Sequence, residues 1–338
     1  MIKPTGVSLV VSFHALFLFL PQAALGASAQ PGTSPGLTQS QRVNWTSSGV
    51  QHVYGLPDAK PKDKGTLTLS AAGLSFAGKA SRSMIPRQSV VAVSAGNERV
   101  EIWGMKGQVL RAVIPNGGGV AAAMVMHHRV DMLTVEFADD HGGYHGAVFF
   151  LPAKEATRAL ESFSTMPIVP RELKSNVCQD GFVHPHSLLL AAPVWQQAEV
   201  PAAYRALVYE QLFDRLRQVQ GVDRVYRDGE ANANQGCPEY TMQLSINGFK
   251  EGSQVKRAVM GPAGFFVSTT QMKFDATVTD ATGRVAMQEQ IKATTRGETE
   301  STNVAKNVAG KLAKSYSGVV KKANESELAA SRGMAPKR

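Results

Sequence analysis

The chain has 338 residues, which is enough for two domains of ordinary size, and 43% of them are apolar while 19% are charged. The formal charge is 36 − 27 = +9 at pH 7, which favours anionic partners such as lipid head groups or envelope polymers. The basic residues are not interleaved with aromatic side chains, and a dedicated nucleic-acid-binding protein would need that pattern. The composition therefore predicts globular domains with a mildly basic surface and no nucleic-acid partner.

The N-terminal stretch has the layout of a secretory signal peptide. Lys3 supplies a positive charge, residues 7–20 form an uncharged apolar run, and small residues follow Pro21. The run is shorter than the ~20 apolar residues of a membrane-spanning helix. We expect cleavage close to Gly26. Because no cysteine lies near that position, we expect a soluble, periplasmic or secreted protein that is not lipidated and has no later transmembrane segment.

Residues 65–164 have the pattern of short antiparallel strands followed by one helix. Hairpin signals occur around Gly73 and at residues 139–143, and Pro152 opens an amphipathic helix. Gly65–Leu69, the segment from Gly73 to Phe76, the Ile85-Pro86 step and the last helix resemble the pleckstrin-homology or GRAM-like superfold. The resemblance implies a small barrel with a C-terminal helix.

The second half is organised around a long hairpin. Met272, Phe274, Ala276 and Val278 alternate with polar residues, as in a half-buried strand. Residues 280–283 form a turn whose glycine tolerates positive φ. Amphipathic helices are predicted over residues 201–218 and 302–322. The predicted order of elements in this half is β-α-β-β-β-β-α. This order predicts an α+β sandwich of a mostly antiparallel sheet with two helices.

This half resembles a domain-of-unknown-function family of bacterial envelope proteins. The resemblance is carried by the strand ending at Ile246 with its glycine-containing continuation, by Arg257, by the loop at residues 261–264 and by the turn at residues 280–283. It covers residues 188–322 and implies an envelope location. The family has no assigned catalytic residues, so it implies none for this chain.

The chain is predicted to divide into six parts. They are a signal peptide, a flexible lead-in with one short strand, the pleckstrin-homology-like domain, a linker, the α+β envelope domain and a disordered tail, at residues 1–26, 27–64, 65–164, 165–187, 188–323 and 324–338. Both cysteines, Cys178 and Cys237, follow the first domain. In an oxidising compartment they predict a disulfide, which would stabilise the fold by about 4 kcal/mol for a loop of this length.

Histidines supply the candidate metal ligands. His127, His128, His141 and His145 lie close together in sequence with Asp139 and Asp140, and His184 and His186 are two residues apart on an extended segment. Imidazole and carboxylate groups bind transition metals. A solvated loop with scattered histidines fits the same pattern, and we predict no bound metal and no other cofactor.

The best candidate for a binding surface is a basic loop. Lys256 and Arg257 precede the glycines of Gly261 and Gly264, where backbone and side chains could contact an anion. Arg257 could instead pack beside the hairpin and neutralise Asp275 or Glu251.

The sequence lacks the nucleophile-elbow, Ser-x-x-Lys and His-Glu-x-x-His motifs of common hydrolases. The preferred interpretation is therefore an exported, non-catalytic bacterial envelope protein that acts as a binding or assembly module for an envelope protein or polymer. Two alternatives are a metal-dependent hydrolase that uses the clustered histidines and a periplasmic subunit of an outer-membrane assembly.

Overall fold

A computed structural model describes residues 43–101, 127–165, 178, 181–195, 200–231, 236–250, 269–295 and 302–333. Two sheets rich in antiparallel strands and three helices are built from these residues, which confirms the α+β class. The predicted signal peptide lies outside the described residues. Of the described helices, none combines the length and the apolar composition needed to cross a membrane.

The first sheet has seven antiparallel strands in the order β4-β3-β2-β1-β7-β6-β5. The strands are β1 Val43–Tyr54, β2 Lys64–Ser70, β3 Gly73–Gly78, β4 Arg82–Pro86, β5 Val90–Glu101, β6 His127–Ala138 and β7 Tyr144–Leu151. Among these strands, β4 and β5 are the two ends of the order and are not paired with each other. The sheet is therefore open in the described residues, and the predicted barrel is not confirmed.

The first strand lies at the centre of this sheet, whereas the sequence predicted only one short strand near residues 43–53 within a flexible lead-in up to residue 64. Trp45 and Val50 are both buried against the sheet's core. In a regular strand an odd-numbered and an even-numbered residue would point to opposite faces. A register shift at Gly49, whose φ is +71°, turns the strand by one residue so that both parities face inward. This bulge hides the period of two and explains why the sequence pattern underestimated the strand.

The first sheet is followed by α1 (Glu155–Ser164), the predicted closing helix. Ala156, Ala159 and Phe163 are buried, whereas Leu160, which was predicted on the same face, is 38% exposed. The indole Nε1 of Trp45 donates a 3.1 Å hydrogen bond to Glu155 Oε2. The helix is thereby fixed to the central strand.

The second sheet has the order β10-β8-β11-β12-β13, with β9 beside β11. Its strands are β8 Val183–Leu190, β9 Val194–Trp195, β10 Arg224–Arg227, β11 Cys237–Lys250, β12 Thr270–Asp280 and β13 Val285–Thr295. The last three are antiparallel, as predicted, but β8 is parallel to both β10 and β11. A helix crossover joins β8 to β10, and the run Leu188, Leu189 and Leu190 is buried throughout, as is typical of a parallel strand covered on both faces.

The predicted central hairpin is confirmed. Met272, Phe274, Ala276 and Val278 are fully buried, and Gly283 in the turn has φ +84°. On the return strand Met287, Ile291 and Ala293 are buried, but Val285 next to the turn is 58% exposed. The helices cover only the far part of the hairpin, so the residues near its tip face solvent.

Two helices pack on this sheet, as predicted. They are α2 (Ala202–Leu216) and α3 (Asn303–Gly333). The tail predicted from residue 324 instead continues α3, where Ser326 Oγ donates to the Lys322 carbonyl at 2.9 Å. Lys321 and Glu325 also lie one turn apart, with 3.9 Å between charged atoms. Such local pairs support an exposed helical end.

The second helix also packs on the first sheet. Residues of β6 and β7, including Val148 and Phe150, belong to the same buried cluster as Leu207 of α2 and Phe274 of β12. The close approach requires Gly146, because a Cβ there would lie 2.5 Å from the Cβ of Ala206. One core therefore spans both sheets, with α2 between them.

Candidate functional site

The predicted disulfide is present. The Cα atoms of Cys178 and Cys237 are 5.5 Å apart and their sulfurs are bonded, within the spacing that a disulfide allows. Cys178 packs against a small cluster of Leu189, Tyr226 and Ala231. The bridge therefore ties the segment before β8 to the start of β11.

The histidines named as candidate metal ligands lie in different surroundings. His141 is exposed in the loop before β7, whereas His145 is buried. His184 packs between the rings of Phe182 and Tyr226, and His186 follows with φ +55°. Within the described ranges, no three histidine, cysteine or acidic residues are placed to share a metal ion.

His127 and His128 lie in neighbouring positions of β6, opposite Glu101 and Val100. The predicted loop of Lys256, Arg257, Gly261 and Gly264 lies outside the described residues.

A cleft of about 1090 Å³ lies between the first sheet and the α2–β10 segment. Its walls come from the loop after β1, the loop before β7, the C-terminal half of α2 and β10. Pockets at such junctions are the usual positions for ligands. We call it the junction cleft.

A buried ion pair forms part of the wall of the junction cleft. The guanidinium of Arg227 donates two hydrogen bonds to Glu210, at 2.9 and 2.8 Å, and a third to the Tyr144 carbonyl at 3.0 Å. Glu210 also accepts from the backbone N–H of Gly146 at 3.0 Å. The ring of Phe213 lies 3.8 Å from the guanidinium carbon. Both terminal nitrogens of Arg227 and both carboxylate oxygens of Glu210 are thus engaged, as a stable buried pair requires.

Beside this pair, His145 links Asp139 to Glu210. Its Nε2 donates to Asp139 Oδ2 at 3.2 Å, and its Nδ1 lies 3.6 Å from Glu210 Oε1, without a hydrogen-bond partner in the described residues. Burial raises the pKa of Asp139, but the hydrogen bonds from His145 and the Gly143 N–H outweigh it and hold the pKa at about 2. Asp139 is therefore a carboxylate at all ordinary pH values.

On the opposite wall, Tyr54 donates a 2.5 Å hydrogen bond to Asp214. Burial, together with this carboxylate, raises the pKa of Tyr54 far above its usual range, so the phenol keeps its proton. His52 is fully buried: its Nδ1 bonds the Lys60 carbonyl and its Nε2 accepts from the Leu56 N–H, both at 3.1 Å. Burial lowers the pKa of His52. Its two partners fit only the neutral imidazole.

The charges of the junction cleft are mixed. Seven carboxylates and four Lys or Arg side chains line it, an excess of three negative charges in a chain of net charge +9. The buried groups are paired with one another, while Asp58, Asp140, Arg217 and Asp223 lie exposed at the rim. Chemically, the cleft presents hydrogen-bonding groups at its mouth over a floor whose charges are already neutralised.

Sequence reasoning missed this network. The usable signal was Glu210, which lies three residues after Leu207 and three before Phe213 in the helix predicted over residues 201–218. A carboxylate at a buried helical position needs a cationic partner. Nothing in the pattern identified Arg227, 17 residues later, as that partner.

No protein-family model matches the chain, and no curated protein matches it. Among solved structures it is similar to the PelC dodecamer from Paraburkholderia phytofirmans, with 12% identity, a TM-score of 0.29 and coverage of 40% of this chain and 93% of that one. It is also similar to protein XCC0632 of Xanthomonas campestris, a DUF330 protein, with 11% identity, a TM-score of 0.27 and coverage of 47% and 96%. Similarities of this size do not support an inference about the fold or function of this chain.

Proposed function

We propose that this chain is an exported, non-catalytic protein of the bacterial envelope that acts as a binding or assembly module for an envelope protein or polymer. The observation that carries the proposal is the pairing inside the junction cleft: Arg227 with Glu210, His145 with Asp139, and Tyr54 with Asp214. A general base or nucleophile must offer its reactive atom to a substrate. Most polar atoms of these groups instead bond to each other, with His145 Nδ1 left without a partner among the described residues. The contacts of Tyr54 and Arg227 join the first sheet to α2 and to the second sheet, as a rigid binding scaffold requires.

Two independent features support export. The N-terminal 26 residues have the layout of a signal peptide, and Cys178 and Cys237 are bonded. Structural disulfides persist in the periplasm and outside the cell and are rare in the cytosol. A relation of residues 65–164 to pleckstrin-homology-like domains and membership of an outer-membrane assembly both stay predictions. The second predicts large oligomers in size-exclusion chromatography.

The proposal is tested by expressing the full chain with a C-terminal tag in a Gram-negative host. We expect the mature protein in the periplasmic fraction, with its N-terminus near residue 27 by mass spectrometry. Chemical cross-linking in the envelope should then capture a partner on the wild type. A Lys256→Glu, Arg257→Glu variant tests the predicted loop in the same experiment. A chain that keeps Met1 in the cytoplasm, or that is exported and captures nothing, contradicts the proposal.

A further inference from the structure

The exposed face of α3 is cationic throughout its first five turns. Between Asn303 and Asn324 the helix has no acidic residue and five exposed lysines, at positions 306, 311, 314, 321 and 322. At 100° per residue these lysines fall on one half of the helix. The opposite half is the buried stripe that includes Val308, Leu312 and Tyr316.

Two concavities run along this face, beside α2. One, of about 370 Å³, is lined by Lys62, Arg215 and Lys306. The other, of about 810 Å³, is lined by Arg215, Lys314 and Lys321. Because both include Arg215 and its neighbour Gln218, they form one groove, which we call the α2–α3 groove. From residue 306 to residue 321 it follows the helix for roughly 22 Å, at 1.5 Å per residue.

Within the described part of the chain, the cations of the groove are only weakly neutralised. Among the described residues, no carboxylate forms an ion pair with Arg215, Lys306 or Lys314, and Lys321 has only the exposed Glu325 at 3.9 Å, a pair of little strength. The other carboxylate of the lining, Asp214, accepts a hydrogen bond from Tyr54. Five cations and two carboxylates leave an excess of three positive charges, opposite in sign to the junction cleft.

Uncharged polar groups lie between these cations. They are the amides of Gln211, Gln218, Gln220, Asn303 and Asn324 and the hydroxyls of Thr302 and Ser317. Gly310 adds no side chain to the floor, and the guanidinium of Arg215 lies 3.9 Å from the position that a Cβ would occupy there. Spaced cations interleaved with amides and hydroxyls match a chain that carries carboxylates and hydroxyl groups in turn.

We propose that the α2–α3 groove binds a linear acidic polysaccharide through carboxylated sugar units. This inference rests on the proposed function and names its partner class. Arg215 lies recessed in the groove between two helices, where a narrow polymer chain can reach it. A flat membrane surface would contact only the exposed lysines on the rim. A single-stranded nucleic acid would need several aromatic side chains on which its bases stack, whereas the described lining has two, Tyr54 and Phe150, both in the smaller concavity.

The test measures binding of polyuronate oligomers to the full mature chain by isothermal titration calorimetry at low salt. We expect binding that weakens as salt is raised, because the cations are exposed. Lys306→Glu with Lys314→Glu, one residue in each concavity, should lower the affinity at least about tenfold, since each cation near a polyanion contributes about fivefold. Lys306→Arg with Lys314→Arg keeps the charge and should keep the binding.

The matched control is Lys79→Glu with Arg82→Glu, an equal charge change on two exposed cations at the turn between β3 and β4, at the outer end of the first sheet. It should change the affinity less than about twofold, as for distant surface sites. Equal losses of affinity in the Lys306→Glu, Lys314→Glu variant and in the control would show that overall charge, and not the groove, determines binding, and would contradict the proposal. Neutral dextran should not bind.

Vesicles that contain phosphatidylglycerol form the last arm. If they bind with the same dependence on Lys306 and Lys314 while polyuronate does not, the partner is a membrane surface and the polysaccharide proposal is wrong. If neither binds but envelope cross-linking still captures a protein, the groove fails while the proposed binding function stands.

Discussion

The buried ion pair of Arg227 and Glu210 connects the two sheets. Arg227 belongs to β10 and also donates to the Tyr144 carbonyl of β7, while Glu210 of α2 accepts from Gly146 of the same strand. Buried pairs contribute little net stability compared with apolar residues, but removing one partner leaves an uncompensated charge. The pair therefore acts chiefly to fix how α2 sits on β7.

Arg227→Met should lower the free energy of unfolding by about 3–5 kcal/mol, because Glu210 would remain buried without its partner. Glu210→Gln in the same chain should recover part of this loss, since an amide oxygen can still accept from Gly146 without a charge. Urea unfolding of the wild type, both single variants and the double variant gives the coupling energy. Additive losses, with no recovery in the double variant, would contradict the pairing.

His52 makes stability depend on pH. Its Nε2 accepts from the Leu56 N–H, so a proton there would place two donors against each other. Burial lowers the pKa of His52, against smaller opposing effects of the Lys60 and Tyr54 backbone and of Asp63 and Glu210. Because the unfolded chain binds the proton more readily, stability is fully present above the unfolded pKa of about 6.5 and is lost as the pH falls below it.

His52→Gln tests this dependence, because glutamine can donate to Lys60 and accept from Leu56 but does not titrate. Unfolding free energies at pH 7.5 and pH 5 should differ less in the variant than in the wild type. Asp63, whose pKa is lowered chiefly by a hydrogen bond from Ser81, titrates below this window. An identical pH dependence in both proteins would show that other groups are responsible.

At the scale of elements, strands and turns were predicted most accurately from the sequence where one face of a segment is buried and the other is solvated. The hairpin of β12 and β13 met that condition, and its alternation and turn were predicted correctly. β8 did not meet that condition, because both of its faces are covered and its three consecutive leucines show no alternation of apolar and polar residues. β1 did not either, because the bulge at Gly49 reverses its parity. Pairing direction and bulges depend on partners distant in sequence, which a local pattern does not contain.

The helix α3 gives a prediction about where its stability resides. Leu312 and Tyr316 are buried against the sheet, whereas residues 324–326 are exposed, with Asn324 beside Gly221 and Glu325 one turn from Lys321. Leu312→Ala should lower the free energy of unfolding by about 2–5 kcal/mol. Ending the chain after Ala323 should lower it by less than about 1 kcal/mol, as for other exposed sites. Chemical unfolding measures both, and a larger loss on truncation would show that the end of α3 packs on the rest of the molecule.

At the scale of the whole molecule, the sequence indicated two separable halves joined near residues 165–187. Its local signals predicted a linker from prolines and polar residues, but could not show that α2 has two buried faces. The structure adds that β6 and β7 contribute side chains to the core around α2. The junction cleft and its ion pair exist only because the halves meet, which is why no motif within either half predicted them.

Limited proteolysis distinguishes a linker that can be cut from halves that can separate. We expect cleavage between residues 165 and 176, as the sequence predicts, and then expect the two fragments to co-elute in size-exclusion chromatography. The disulfide cannot hold them together, because both of its cysteines lie in the second half. The shared core can: its side chains from the first half are Val130, Met132, Tyr144, Val148 and Phe150.

Each such side chain contributes about 1.5–3 kcal/mol when fully buried, so separating the fragments would expose a large apolar surface on both. Val148→Asp, which places a carboxylate in this core without a partner, should make the cleaved fragments separate or the chain unfold. A conservative Val148→Ile variant should leave them associated after cleavage. If the wild-type fragments elute separately under native conditions, the contact between the halves is weak, and the junction cleft cannot be a rigid binding scaffold.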